Sequence, residues 1–546
     1  MKRIKIIILA LVAVIAFFGS VVYGREYFLY DAERGKILYM GDHDTAFTEK
    51  MNFEKNPHLI MKTADPNKYL AIYAPEDNSK SQGEKTESNA GQLIIFNIAT
   101  GRTEDLVDLG FWPFRWTYTK DHQHFFITYK PTPDAKSMEM LHYDVEKGTS
   151  EKLSDFAVEI SNLALSTDER KLYAVTERPV KSKKAKTFSD ILTITYSPLT
   201  IQNTLSTDKK IQALYVLSPE RIALANLDLD HKAKTVSIIN TQDNTIVQEQ
   251  KLKLIYTLTS WFEKERLLIV AGFETKSNGF GLTGRGQFCK VSIDGIQFIE
   301  PSKPWIDFEY IPERDCLYIL SEYNIEAIDF KNSTTHKCST GYNIYHDSFY
   351  KIYHLPDSNL AAIYCFQNSE VKFYDLVENK IIKTVNCGRS GAKFLLSFFN
   401  VESKTVITTN HDKTKYFVLN RATKDITVLD QDFTKSNFII PSEPPIGMYQ
   451  IKKPAFVTLV TTGKQIYKLN EATSELESIY EFKQETKETY LYEDENRMIL
   501  LSDKELLVLN SETLKIENQF YLYGDPNEKY TKVQPGALRY SFIRAL

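Results

Sequence analysis

Gly279-Phe-Gly281-Leu-Thr-Gly284 spells the glycine fingerprint of a dinucleotide site. That chemistry needs the glycines between a strand and a helix, so that the helix amino end meets the pyrophosphate. Here the motif leads into the strand-like FCKVSI, so it reads as a hairpin loop. Cys387-Gly-Arg-Ser-Gly391 comes near a nucleophile elbow, but its second glycine falls one residue early for GxSxG. No α/β-hydrolase pattern follows it. His122 and His124 flank Gln123, a spacing that would put both on one face of a strand. A metal would need a third ligand from elsewhere, and Asp121-His-Gln-His sits at a turn, where solvated side chains are the expectation. Asn226, Asp228 and Asp230 alternate oxygen donors ahead of His231, without the glycine and distal glutamate of a calcium loop. Lys181, Lys183, Lys184 and Lys186 form a basic cluster suited to anionic lipid or cell-wall polymer, and equally to plain solvent. No HExxH, paired CxxC or EF-hand loop occurs. The chain therefore offers no catalytic, cofactor or metal set, and Lys181, Lys183, Lys184, Lys186, Asp228 and Asp230 stand as residues of possible binding-face loops.

The five cysteines, Cys289, Cys316, Cys338, Cys365 and Cys387, are spaced 27, 22, 27 and 22 residues apart. Each pair of gaps sums to about one repeat period, so these are expected to be free thiols in equivalent repeat positions rather than a disulfide or metal ladder.

What must position any site is a series of short strands. In Glu370 to Asp412, Val371 and Phe373 alternate with Glu370 and Lys372, the period-two mark of a half-buried strand. Asp375 opens a turn, Ile381 to Val385 returns, Ala392 to Phe399 is a third strand and Thr405 to Thr409 a fourth. Four antiparallel strands in about 45 residues make one blade of a β-propeller. Asp375, Asn379, Lys380, Ile381, Ile382, Thr384, Val385 and Gly388 resemble the YVTN-type repeat of the YVTN/WD40-like propeller superfamily; the proline usual after the glycine is replaced by Arg389, Ser390 and Gly391. The resemblance implies a propeller fold and carries no activity with it.

Ten such exit hairpins are read, starting at Leu93, Glu139, Ile191, Val236, Phe288, Asn324, Glu370, Lys415, Gln465 and Glu505, with a lone hairpin at Tyr27 to Met40 before them. Eight of the ten turns open on Asp or Asn, whose side chains hydrogen-bond the backbone ahead of them. The entry hairpins carry a polar turn before an apolar strand, as in Ser166-Thr-Asp-Glu-Arg-Lys-Leu-Tyr. The fold class is all-β: a propeller of about ten four-stranded antiparallel units over residues 25–546, as a single large ring or two packed propellers. Ala537 to Ile543 has strand character and could pair with the Tyr27 hairpin, leaving no free edge.

Long polar insertions separate the second and third strands of the amino-terminal units: Pro75 to Gln92, Lys130 to Ser137, Glu177 to Asp190, Asp228 to Lys234 and Glu274 to Gln287. In a propeller these emerge on one face, and loops on a rigid scaffold are where binding usually sits. The net charge of -4 and pI near 6.3 exclude a general nucleic-acid binder. Lys2, Arg3 and Lys5 precede an apolar run from Ile6 to Phe18 that continues to Tyr23, a signal peptide or signal-anchor helix over residues 1–24. The expectation is an exported protein, secreted or membrane-anchored through that segment. It would bind or scaffold a protein or cell-envelope polymer through its loop-rich face, without a cofactor. The alternative is a propeller enzyme with a central-channel site, of quinone-cofactor dehydrogenase or lactonase type.

Overall fold

A computed structural model describes residues 26–544 apart from 33, 42–43, 45, 54–55, 74–89, 157–158, 178–188, 228–233, 253–255, 274–275, 278–281, 284–285, 304, 322, 342–348, 356–357, 366–369, 388–405, 421–423, 452–455, 494–496 and 524–539. The alternating apolar pattern folds as expected: the described residues form eleven sheets of four antiparallel strands each, with a short 3-10 turn at Pro312–Arg314. The chain is a β-propeller. Ten blades run through the sequence in order, each made of four strands taken in chain order, from Leu59–Lys62 in the second blade to Ile516–Tyr521 in the eleventh. The first blade takes Tyr27–Asp31, Lys36–Met40 and Thr48–Asn52 from the amino end and Tyr540–Arg544 from the carboxyl end. The carboxyl-terminal strand thus does pair with the Tyr27 hairpin, and that hairpin is an eleventh blade rather than a lone one.

The blades divide into two compact units. One holds the five blades between Lys50 and Glu300; the other holds the six that include Tyr27–Glu49 and residues from Pro301 to Phe542. Within each unit the core is a row of layers between successive blades. In the five-blade unit, Leu70, Ile72, Leu93 and Ile95 pack against Phe125, Ile127 and Leu141. In the six-blade unit, Tyr27, Leu29 and Met40 of the first blade pack against Ile499, Leu506 and Val508 of the eleventh.

Turn chemistry sets the hairpins. Asn97, Asp375, Asn470 and Asn510 each accept backbone N–H bonds from the residues two and three ahead. The turns close through a left-handed residue, which is Gly101 and Gly148 in two blades and Asn379, Ser474 and Leu514 in others. Entry turns repeat a hydroxyl-x-Asp pattern: the hydroxyls of Thr119 and Ser166 donate to Asp121 and Asp168 at 2.5 and 2.6 Å.

One of the ten exit hairpins sits at a different phase from its sequence reading. Lys415–Asn420 and Asp425–Asp430 are the middle strands of the ninth blade, whose outer strand is Lys435–Ile439. Asp425–Leu429 is buried throughout and Lys435–Asn437 is exposed, so burial identifies the edge where the turn residues do not. Likewise the Glu370 to Asp412 stretch is not one blade. Glu370–Asp375 and Lys380–Asn386 end the eighth blade, Val406–Thr409 begins the ninth, and 392–399 lies outside the described residues.

In the six-blade unit a buried polar residue at the start of the third strand pins the segment leading into its own blade. Glu326 accepts the backbone N–H of Ser302 at 3.1 Å and its hydroxyl as well. Lys372 donates to the carbonyl of Thr340 at 2.7 Å. Glu505 accepts from the Lys483 N–H at 2.8 Å and the Tyr480 hydroxyl at 2.7 Å. A charge so buried is tolerated because its lone pairs or protons are directed at partners.

Candidate functional site

The feature that separates the two units is the connection between second and third strands. In the five-blade unit it spans residues 74–91, 131–137, 178–188, 228–233 and 274–285. In the six-blade unit the same connection is 32–35, 322–323, 366–369, 421–424, 463–464 and 503–504. Six to eighteen residues therefore stand against two to four. Consecutive antiparallel strands repeat the same order in every blade, so within the five-blade unit these connections share one end of the blades. The connection of the third blade is described throughout. Thr132, Pro133, Asp134 and Lys136 are exposed, and the Ala135 N–H closes a turn on the Thr132 carbonyl at 3.1 Å. Its base is fixed: the Tyr129 hydroxyl donates to Glu139 at 2.9 Å, and Lys152 lies 5.8 Å over the Tyr129 ring. Gly110 allows the chain to pass beneath it, since a Cβ there would lie 1.8 Å from the Lys130 carbonyl oxygen. Part of the twelve-residue connection of the sixth blade pairs with itself, Lys276–Ser277 against Leu282–Thr283.

Lys181, Lys183, Lys184, Lys186, Asp228 and Asp230 all fall in these connections and lie outside the described residues, as do residues 1–25 with the apolar run. Among the described residues no helix is long and apolar enough to cross a membrane. The glycines of Gly279 to Gly284 and residues 388–391 are likewise outside. Asn226 is described and buried, donating to the Ser237 hydroxyl at 3.1 Å.

His122 and His124 part company. His122 takes a left-handed turn conformation, lies tilted against the Tyr118 ring and bonds the Lys62 carbonyl at 2.9 Å. His124 instead meets His142 of the adjoining strand, Nδ1 to Nε2 at 3.1 Å, with Asp144 Oδ2 at 3.9 Å. His142 was not legible from spacing; only the strand register, which sets Asp144 opposite His124, brings it there. Among the described residues no group of three or more His, Cys, Asp or Glu is placed to hold a metal ion.

Cys289, Cys316, Cys338 and Cys387 are free thiols. Burial pushes Cys289 and Cys387 up to about 12, so neither ionises readily. Reducing agent is therefore expected to leave the melting temperature unchanged. Both thiols should also stay unreactive towards a thiol reagent until the chain unfolds, as counted by mass spectrometry. A fall in Tm on reduction would contradict this, since a disulfide is worth about 2–4 kcal/mol.

The second cluster lies on the first strand of the seventh blade. Asp307 and Glu309 stand two residues apart in Trp305–Ile311 and are half-buried. Asp307 Oδ2 accepts the Ile352 N–H at 2.9 Å, and Glu309 accepts that of His354, both on the first strand of the eighth blade. Burial raises the Asp307 carboxyl to about 6. Burial, and then the neighbouring Asp307 charge, raise Glu309 to about 7, while Lys351 opposes both shifts. A carboxyl in that range can serve as an acid or base near neutrality, and it can equally serve as a stitch between blades. Nothing in the sequence marks this pair except its i, i+2 spacing.

Eleven four-stranded antiparallel blades define the class: this is a β-propeller. No family model matches the chain, and no curated protein matches it. Solved structures with a similar trace include a eukaryotic initiation factor, at 11% identity over 76% of this chain and 96% of that one, with a TM-score of 0.38. Another is the C-terminal WD40 domain of Sif2, at 9% identity, 68% and 95% coverage and a TM-score of 0.30. A third is the dihydro-heme d1 dehydrogenase NirN, at 13% identity, 73% and 83% coverage and a TM-score of 0.28. One of the three is named as a dehydrogenase, and at these scores none carries an argument about activity.

Proposed function

We propose that the chain is an exported, membrane-tethered propeller that acts as a non-catalytic binding or scaffolding protein. Its partner, a protein or a cell-envelope polymer, engages the end of the five-blade unit where the second-to-third-strand connections emerge. The observation that supports this is the length asymmetry: all five blades of one unit extend that connection, and all six of the other keep it tight. Drift in solvated loops has no reason to respect a unit boundary. The basic Lys181, Lys183, Lys184 and Lys186 favour an anionic partner, and Lys2, Arg3 and Lys5 ahead of the apolar run support the tether.

The test is a set of variants in which residues 75–91, 131–137 and 178–188 are each replaced by a two-residue turn. Shortening such loops changes closure entropy by only about 1–2 kcal/mol, so the melting temperature should hold. Pull-down from the cell envelope should lose the partner recovered with the intact protein. Identical partner sets would sink the reading. The tether has its own arm: removing residues 1–24 should move the folded protein out of the membrane fraction, and retention there would contradict it.

A second reading is favoured by Asp307 and Glu309, whose carboxyls lie in the range of general acids and bases. It makes them the acidic residues of a propeller enzyme. Asp307→Asn and Glu309→Gln should then abolish turnover while leaving partner binding intact.

A further inference from the structure

The His124–His142 contact lies where the third blade meets the fourth. His142 is only 5% exposed and its ring stacks on Phe126 at 4.9 Å and 12°. Tyr196, from the third strand of the fourth blade, closes over the group, with ring centroids 5.1 Å from His124, 5.0 Å from Phe126 and 5.5 Å from His142. The Tyr196 hydroxyl donates to the Glu169 carbonyl in the entry turn of its own blade. The Glu169 carboxylate in turn accepts the Lys120 N–H of the third blade at 3.0 and 3.1 Å. The ring cluster and this turn-to-turn contact lie beside the apolar layer of the seam, where Met138, Met140 and Phe156 pack against Ile160, Leu172 and Ile194.

Two imidazoles joined nitrogen to nitrogen at 3.1 Å require one ring to donate and the other to accept. One added proton is compatible with that arrangement. It can sit on His124, which is 26% exposed and 3.9 Å from Asp144, while the ring still donates to a neutral His142. A second proton is not compatible: both facing nitrogens would then be donors, with no acceptor between them. His142 Nδ1 is buried with no hydrogen-bond partner and already carries the ring hydrogen when Nε2 accepts, so the cost of the second proton falls on the two facing nitrogens.

We propose that the His124–His142 pair is an acid-sensitive latch: protonation of both rings expels His142 from the seam and loosens the third blade from the fourth. The charged groups around the pair come from every element that packs on it. Asp144 lies on the His142 strand, Lys147 in the turn after it, Glu151 opposite His142 on the next strand and Asp121 in the turn before His124. Across the seam, Asp168 and Glu169 lie near Tyr196. Asp144 and Glu151 favour the protonated ring, and Lys147 disfavours it. Burial first, and then the charge of His124, outweigh the carboxylates and hold His142 down at about 4. The facing nitrogens accommodate one added proton and not two, so the latch responds to the second.

The test is hydrogen–deuterium exchange of the whole protein at pH 7 and pH 4, corrected for intrinsic exchange, on wild type and His142→Phe. Phenylalanine keeps the stack on Phe126 and cannot be protonated. In wild type, protection of amides in His124–Lys130, Met138–Asp144 and Ser189–Tyr196 should fall about tenfold or more at pH 4, because opening the seam lets His142 take up a proton. Arg497–Ser502, in the other unit, should not change with it. In His142→Phe the same segments should hold their protection. An equal fall in the variant, or no fall in wild type, overturns the latch. Should His142→Phe not fold, His124→Gln removes the second charge and must lessen the fall; an unchanged fall there is equally fatal.

Discussion

Replacing Arg497 by alanine is expected to lower stability by about 3–5 kcal/mol, the range for breaking a buried charged interaction. Arg497 begins the second strand of the eleventh blade and is 1% exposed, yet it carries a permanent charge. Its guanidinium donates to the carbonyls of Gly41 and Asp44 and lies 5.3 Å over the ring of Tyr27. All three of these residues belong to the first blade, which is built from both chain ends. Truncation would leave a cavity where the guanidinium lies against Tyr27, and it would take one donor from each carbonyl, of which that of Gly41 keeps the Asp44 N–H at 3.2 Å. Lysine should rescue it only in part: one nitrogen, Nη1, reaches both carbonyls, but an ammonium lacks the planar guanidinium that lies over Tyr27. The exposed pair Lys36–Glu49 in the same blade is the control, and Lys36→Ala should cost under about 1 kcal/mol. Denaturant titration decides it: equal losses for Arg497→Ala and Lys36→Ala would contradict the clamp.

The second large effect is a gain. Asp307 and Glu309 carry carboxyls raised to about 6 and about 7, so the folded state binds more protons than the unfolded one between roughly pH 4 and 7. A raised folded pKa gives stability that is full below the unfolded value and lost as pH rises through the folded value. At pH 8 both charges are present and half-buried, and the double variant Asp307→Asn, Glu309→Gln should be more stable than wild type. The size is about 2–4 kcal/mol for the pair, since a tenfold change in proton affinity between folded and unfolded chain is worth about 1.4 kcal/mol. At pH 4.5 the advantage should largely vanish, because wild type is then protonated as well. The amide oxygens can still accept the N–H groups of Ile352 and His354. His142 works in the opposite sense: its folded pKa is depressed, so acidification below about 6.5 costs stability in the five-blade unit. Urea titrations of wild type and double variant at pH 8 and 4.5 measure the difference. A variant less stable at pH 8 would show that the charges hold the seam.

The strands and turns were legible because their causes are local. Asn97, Asp375 and Asn510 bond residues two and three positions on, and alternation in Val371 and Phe373 needs only the neighbouring residues. The phase of the ninth blade was not legible, because Asp425–Asp430 carries a turn pattern like an outer hairpin and only its burial shows it to be central. The pairing of Tyr540–Arg544 with the first blade was open to inference from strand character at the chain end. Lys372 falls on the polar side of an alternating strand, and nothing in the sequence marks Arg497, Glu326 or Glu505 as buried. Their burial depends on partners brought close by the blade packing, 456 residues away in the case of Gly41. His124 was visible but its spacing suggested His122 as companion; the true one, His142, lies across a strand pair. The insertions were legible as polar interruptions, while their confinement to one unit required the blade assignment.

The claim that the partner engages the insertion-bearing end is tested most directly by site-specific photo-crosslinking in the native envelope. A photoreactive residue is placed at Asp134, in the long connection of the third blade, and separately at Tyr323, in the tight turn that holds the same place in the seventh. Both positions are exposed. The account predicts one discrete adduct from Asp134, absent from Tyr323 and lost when residues 75–91 and 178–188 are shortened. The same adduct from Tyr323, or one from Asp134 that survives the shortening, would contradict it.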